Sequence, residues 1–401
     1  MGDAMNWIAT GAQVVLLVVV AVLALPAFVL LAQVLLAFLP ARARKAEDTP
    51  RPRIAVLVPA HNESTGVLPT LAQIRAQLNP GDRVVVIADN CSDDTAEVAR
   101  AAGAEVAERS NPVLRGKGYA LDHGVRFLEA NPPEIVIIID ADCALEPGCL
   151  EYLARDSHRH GCPVQGKFMT VAPDSSMKMR LAEFAMRVKA HVRPKGMAKL
   201  GLPCGLTGSG IAYPWPLIST ADLASGHLAE DMQLGLELGR QGFPPIYCED
   251  AGLETVFAAS KDAQLTQRTR WEHGHLALLV GNGPKLLLSA LLRGKWRFAA
   301  QVLDLLVPPL ALLALLQLVG TVASLAAFLL LGWKWPLCFG VAGVVMLVAA
   351  VLLARARFAA DIVSGLDLCR VPVYILAKLP MYVRFIFNRQ VEWIRTKRDA
   401  G

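Results

Sequence analysis

The chain of 401 residues contains no Cys-x-x-Cys pair, and its eight cysteines are scattered with no repeated metal-ligand spacing. That pattern argues against a zinc ribbon and a disulfide framework, and it fits a reducing compartment for the middle of the chain. No Walker phosphate loop and no G-x-G-x-x-G follows the first strand-like run, so the common ATPase and dinucleotide readings lose their main support. Charged residues are sparse, at 19% against 54% hydrophobic, and the mean hydropathy is +0.41. A chain this apolar is not an ordinary soluble domain; such averages combine two kinds of segment, here a moderately polar middle and two strongly apolar ends.

The net charge is +5, but the basic residues do not form a nucleic-acid footprint. Arg42, Arg44, Lys45, Arg355, Arg357 and the string Arg395-Thr396-Lys397-Arg398 all stand beside apolar runs, as expected of membrane orientation signals. Residues 8–39 form a run longer than the ~20 residues that a membrane span requires. A cleaved signal peptide fits less well, because no basic region precedes the run and it exceeds the usual apolar core of such peptides. Further spans are expected at 303–331 and 337–353, joined by a turn whose Trp333 and Trp335 suit an interface. Segments 284–297 and 366–393 mix leucines with cations and prolines, and read as interfacial. The expected organisation is a membrane helix with its basic flank (1–45), a cytoplasmic domain (46–280), an interfacial segment (281–301), two spans (302–356) and a membrane-associated basic tail (357–401). If the basic flanks face the cytoplasm, the middle domain lies inside, and a multi-pass protein of the cell (inner) membrane is expected.

The middle alternates apolar runs with amphipathic ones: strands at 54–58, 84–88, 104–107 and 135–139, and helices at 67–77, 95–101 and 119–129. This βα repetition predicts an α/β domain with an open, mostly parallel sheet. Ligands bind beyond the carboxyl ends of such strands. His61-Asn62-Glu63, Asp89-Asn90 and Asp140-Ala141-Asp142 all stand there.

Asp140 and Asp142, two apart in extended chain, send both carboxylates to one side, where magnesium or manganese could bridge them to a diphosphate. A pair of solvated loop aspartates would read the same way. Asp89 opens a string in which Ser92, Asp93 or Asp94 could cap the next helix, leaving Asp89 itself to accept from a nucleobase edge. Arg115-Gly116-Lys117-Gly118 offers amides and cations to phosphate, or simply makes a turn. Glu230-Asp231 begins a helical pattern that runs to Gln241 and stops at Gly242. The pair either complements the helix dipole or supplies a general base. In Gln267-Arg268-Thr269-Arg270-Trp271, Arg270 suits phosphate and Trp271 suits stacking on a sugar; a basic interfacial helix is the plainer alternative. His273 and His275 face different ways on a helix, so they are expected to be core or surface histidines rather than a metal pair.

Taken in order, Val58-Pro59-Ala60-His61-Asn62-Glu63, Asp89, Asp140-Ala141-Asp142, Thr207-Gly208-Ser209-Gly210, Glu230-Asp231 and Gln267 to Trp271 resemble the membrane-bound family 2 glycosyltransferases. That group includes cellulose, hyaluronan and chitin-oligosaccharide synthases and ceramide glucosyltransferase. The resemblance implies a GT-A fold, with Glu63, Asp89 and Lys117 near the nucleotide, Asp140 near the diphosphate and Asp142 on Mg2+ or Mn2+. It further implies Asp231, with Glu230 beside it, as the catalytic base. Thr207, Gly208, Ser209 and Gly210 would border the acceptor, and Gln267, Arg270 and Trp271 would hold diphosphate and acceptor. The expected reaction is inverting transfer from a nucleotide-sugar donor, of the UDP-sugar kind, to a lipid-linked or saccharide acceptor among membrane lipids. Three spans, or four if the C-terminal segment also crosses, are fewer than the large processive synthases use to surround a growing polymer. A processive synthase would therefore need an oligomer or polysaccharide export partners, and a non-catalytic scaffold for polysaccharide assembly is a further alternative.

Overall fold

The computed structural model describes residues 2–40, 50–258 and 260–387. Arg42, Arg44, Lys45, the end of the C-terminal segment and Arg395 to Arg398 lie outside the described residues.

The apolar runs of the middle become β1 (Ile54–Ala60), β2 (Arg83–Asp89), β3 (Glu105–Arg109) and β4 (Ile135–Ile138). They align in parallel in the order β3-β2-β1-β4. Helices Val67–Arg75, Thr95–Ala101 and Lys117–Leu128 make the crossovers. Alternate residues of these strands serve opposite faces. Val56, Val58 and Ile137 pack with Leu71 and Ile74 on one side, while Leu57, Val85 and Ile87 pack with Leu121 and Val125 on the other. Burial on both faces explains why these strands read as continuous Val/Ile runs. Each such side chain contributes about 1.5–3 kcal/mol.

Four further strands, β5 (Ala144–Leu145), β6 (Val164–Val171), β7 (Ile211–Pro214) and β8 (Ile246–Val256), widen the sheet to β3-β2-β1-β4-β7-β6-β8-β5. Strand β7 is antiparallel to both β4 and β6, so the sheet is mixed beyond its parallel half.

Three helices, of which Trp7–Ala37, Leu310–Leu331 and Lys334–Phe358 are the apolar parts, are long and apolar enough to cross a membrane. The apolar run beginning at Leu303 is divided at Pro308-Pro309. Its first residues complete helix Trp296–Leu305, which packs through Phe298, Val302 and Leu305 with Leu236 of helix Glu230–Gln241. Segment 284–297 forms helix Gly283–Leu292 and the start of Trp296–Leu305. Helix Val371–Phe387 is not among the candidate spans; it docks on helix Lys261–Gly281 through the Lys378–Glu272 ion pair and the Leu276, Met381 and Tyr382 cluster.

A buried polar knot ties the first helix to the rest. Gln33 donates to Asp304 Oδ1 at 2.7 Å, and Arg193 donates to Gln33 Oε1 at 3.1 Å and to Asp304 Oδ1 at 2.8 Å. Helix Arg193–Lys199 crosses the first helix so closely that a Cβ at Gly196 would stand 2.0 Å from the carbonyl oxygen of Gln33.

Candidate active site

Strand ends supply one wall of the site. A cavity of about 160 Å³ beyond β1, β2 and β4 is lined by His61, Glu63, Asp89, Lys117, Asp140, Asp142, Gln267 and Arg270. A neighbouring cavity of about 140 Å³ shares Lys117, Asp140, Asp142, Gln267 and Arg270, and adds Thr207, Gly208, Glu230, Asp231 and Trp271. The two hollows thus meet along a common edge.

At that edge three distant parts of the chain are joined. Lys117, the first residue of its helix, lies 2.6 Å from Asp140 Oδ1 and donates to the Gly208 carbonyl at 2.6 Å. Burial opposes its charge, but the fields of Asp140, Glu230 and Asp231 prevail and hold the ammonium above its ordinary pKa. Gly208 in turn donates its backbone N–H to Asp231 Oδ2. Gly208 and Gly210 have φ of +60° and +71°, and added Cβ atoms would stand 2.6 Å from Phe168 and 2.3 Å from Leu253. Only glycine suits both positions.

Of the four-residue string, Thr207 and Gly208 border the cavity, whereas Ser209 is fully buried behind it. The Ser209 hydroxyl accepts from the backbone N–H of Asp140 at 2.9 Å and so braces the strand end. Gly210, also buried, bonds its N–H to Ile138.

Helix Glu230–Gln241 begins at the acidic pair, and Gly242 ends it at φ +107°. Burial, then the adjoining Asp231 charge, push the Glu230 carboxyl up to about 7, against the opposing pull of Lys117. Tyr213, buried beside the pair, has its phenol pKa raised by burial and by both carboxylates.

Asp142 Oδ2 accepts from the Thr255 hydroxyl at 2.6 Å, and Asp89 Oδ1 from Arg109 at 2.6 Å. Neither partner was among the sequence candidates. Arg109 faces Asp89 because β2 and β3 pair in that register; extending the third strand by two residues would have exposed the relationship. Asp93, rather than Asp94, accepts from Thr95, taking its N–H at 3.2 Å and its hydroxyl at 2.6 Å. Gln267 is buried with its Oε1 toward the Ala258 N–H at 3.5 Å, and the Trp271 ring packs on Phe257 at 6.1 Å. His273 and His275 are core residues: their Nε2 atoms meet the Met381 carbonyl at 3.2 Å and the Leu305 carbonyl at 2.8 Å.

Among the described residues no three His, Cys, Asp or Glu side chains form a metal cluster by themselves. Two aspartates at the edge of a phosphate-sized hollow still match Mg2+ and Mn2+, which are commonly held by one or two carboxylates plus substrate phosphates. All eight cysteines are free thiols.

A family model described as glycosyltransferase like family 2 matches residues 50–274. An uncharacterized glycosyltransferase of Mycobacterium tuberculosis is 36% identical over 119 residues, 30% of this chain and 50% of that protein. YdaM of Bacillus subtilis, named a probable glycosyltransferase, is 25% identical over 238 residues, 56% of this chain and 55% of that one. The chain therefore spans about half the length of the curated relatives it matches. Among solved structures, a mannosyltransferase of Pyrobaculum calidifontis in complex with GDP-Man and Mn2+ aligns over 97% of this chain and 100% of that one. Its TM-score is 0.54 at 18% identity, a likeness of fold, and that fold is GT-A.

Proposed function

Since the chain belongs to glycosyltransferase family 2, we propose that it is an inverting hexosyltransferase of the cell membrane. It moves a sugar from a nucleotide-diphosphate donor, of the UDP-sugar kind, to a hydroxyl on a lipid-linked or membrane-presented acceptor during glycolipid or extracellular polysaccharide synthesis. The observation that carries this reading is the chain of contacts from Asp140 through Lys117 and Gly208 to Asp231, which couples the strand-end hollow to a carboxylate pair.

In this reading Glu63 and Asp89 face the nucleoside, while Lys117 and Arg270, which line both hollows, face the diphosphate. Magnesium or manganese, held by Asp140 and Asp142, would neutralise the charge on the departing diphosphate. Asp231, with its Oδ2 fixed by the Gly208 N–H, takes the proton of the acceptor hydroxyl. The new bond forms between that oxygen and the anomeric carbon as the bond from carbon to diphosphate oxygen breaks, and the electron pair leaves with the nucleotide. Trp271 lines both this site and the neighbouring hollow walled in part by the long apolar helices. The three long helices support membrane residence, and the basic residues beside the apolar runs favour the sheet domain on the cytoplasmic face.

The test is a panel of nucleotide sugars with Mn2+ or Mg2+, membrane lipid extract and purified protein, read by release of nucleotide diphosphate. Asp231→Asn is expected to lower turnover by about 10²–10⁴-fold while donor binding is largely retained. Undiminished transfer by that variant would remove Asp231 as the base.

A further inference from the structure

A third hollow, of about 140 Å³, adjoins the site on the side of the long helices and shares Lys189 and Trp271 with it. Its walls are mostly apolar. Leu310, Ala311 and Ala314 come from the first turns of helix Leu310–Leu331, and Leu347 and Val351 from the half of helix Lys334–Phe358 nearer the sheet. An apolar cavity of this size takes up a benzene ring, so it seats about six carbons: the head-proximal stretch of one hydrocarbon chain. The rest of a long chain would run on among the spans.

The charged groups at this hollow are Lys189, Arg193, Arg268, Lys378 and Glu272. Arg193 is paired with Asp304, and Lys378 with Glu272. No carboxylate among the described residues forms an ion pair with Lys189 or Arg268. Arg268 is 8% exposed, its Nε is buried with no hydrogen-bond partner, and its guanidinium rests on the Phe257 ring and the Met179 sulfur. Lys189 stands on a π-helical turn, Val188–Val192, between helices Met177–Arg187 and Arg193–Lys199. Such turns interrupt a helix to re-aim one side chain and recur at functional sites. Neither cation has a carboxylate at ion-pair distance among the described residues, and the Lys189 charge, opposed by burial, is favoured only at longer range by Asp231, Glu272 and Asp304; two such cations beside apolar walls suit an anion attached to hydrocarbon.

On the proposed mechanism that anion is not the nucleophile. A phosphate oxygen aimed at the anomeric carbon would face the Glu230 and Asp231 pair, which above about pH 7 repels it and finds no proton to take from it. A hydroxyl suits them. The larger hollow on the other side of the pair, about 480 Å³, is lined by Asp222, Glu230, Asp231 and Glu237, while its cations Lys117 and Arg240 are paired with Asp140 and Glu237; it would reject phosphate.

We infer that the acceptor is a phosphodiester lipid whose phosphate sits between Lys189 and Arg268, whose chain enters the apolar hollow, and whose hydroxyl-bearing head reaches Asp231. This rests on the glycosyltransferase reading and names the acceptor class for it.

The experiment presents purified full-length protein, radiolabelled donor and Mn2+ with four acceptors in mixed micelles: phosphatidylinositol, phosphatidylglycerol, diacylglycerol and a polyprenyl monophosphate. Label is expected on one or both phosphodiester lipids. Lys189→Met and Arg268→Met should each raise the half-saturating lipid concentration by about tenfold or more, the effect of one lost charge-assisted hydrogen bond, with a much smaller change for the donor. Lys189→Arg should restore much of the loss. Should the charge variants fail to fold, Ala314→Phe fills the hollow from its far wall and should raise the same lipid constant. Labelling only diacylglycerol or only polyprenyl phosphate, or donor hydrolysis with no lipid labelled, overturns the acceptor assignment and leaves the transferase standing. No nucleotide released from any donor overturns both.

Discussion

The Lys117 ammonium lies 2.6 Å from Asp140 Oδ1 and 2.6 Å from the Gly208 carbonyl, so one side chain joins a strand end, a helix start and a glycine turn. In the proposed reaction the pair would exchange partners when a diphosphate arrives, the lysine turning to phosphate and the aspartate to a divalent cation. Lys117→Met leaves Asp140 without its counter-charge and removes a cation from the leaving group. We expect kcat/KM for the donor to fall by about 10²–10³-fold, the range for losing one preorganised electrostatic contact, with Lys117→Arg intermediate. Steady-state release of nucleotide diphosphate measures it, and a methionine variant with unchanged kcat/KM would place Lys117 outside the reaction.

Glu230 carries a pH signature. Its carboxyl is lifted from 4.5 to about 7 by burial and by Asp231. The folded protein therefore holds a proton there that the unfolded chain has lost. The stability this confers is complete below about pH 4.5 and is lost as the pH rises through about 7. Activity runs the other way, because the pair accepts a proton only once ionised, so kcat should climb through about pH 7. The limb belongs to the pair rather than to one residue. In Glu230→Gln the raised carboxyl is gone, and the limb near pH 7 should go with it. A limb that stays near 7 in that variant would show that another group sets it.

Thr255 predicts a metal-specific effect. Its hydroxyl donates to Asp142 Oδ2 at 2.6 Å and fixes the direction of the second oxygen. Thr255→Val keeps the shape and removes the donor. Partners of this kind change metal affinity by about 10–100-fold when lost, so the Mn2+ concentration for half-maximal activity should rise by that factor, with kcat at saturating Mn2+ nearly restored. Loss of kcat that no Mn2+ concentration rescues would argue for a role in folding instead.

These residues also mark what could be read from the chain alone. The strand β1 is a plain apolar run, and Asp140 stands visibly after another, so the parallel half of the sheet and its acidic rim were legible from local pattern. Helix Glu230–Gln241 was bounded by its acidic start and Gly242. Thr255 and Arg109 were not legible, because each meets its aspartate through strand pairing between distant segments: Thr255 lies 113 residues from Asp142. The antiparallel β7 was hidden for the same reason, since four residues ending in Pro214 carry too little periodicity to state a direction. Lys189 was invisible because its position depends on a π-helical turn, a departure from the 3.6-residue repeat on which sequence reading relies.

Gly196 tests how the sheet domain is fixed to the first long helix. A Cβ there would stand 2.0 Å from the Gln33 carbonyl oxygen, with Gln33 backbone atoms on the far side and no flexible side chain to yield. Small residues permit such backbone approach where helices cross. Gly196→Ala must push the helices apart, at about 1–3 kcal/mol for overpacking, and the shift would also loosen the bonds of Gln33 and Arg193 to Asp304. We expect the thermal unfolding midpoint of the detergent-solubilised protein to drop by several degrees. Donor binding at the ends of β1, β2 and β4 should change little. A variant that melts with the wild type would mean that the helices are not in contact at Gly196.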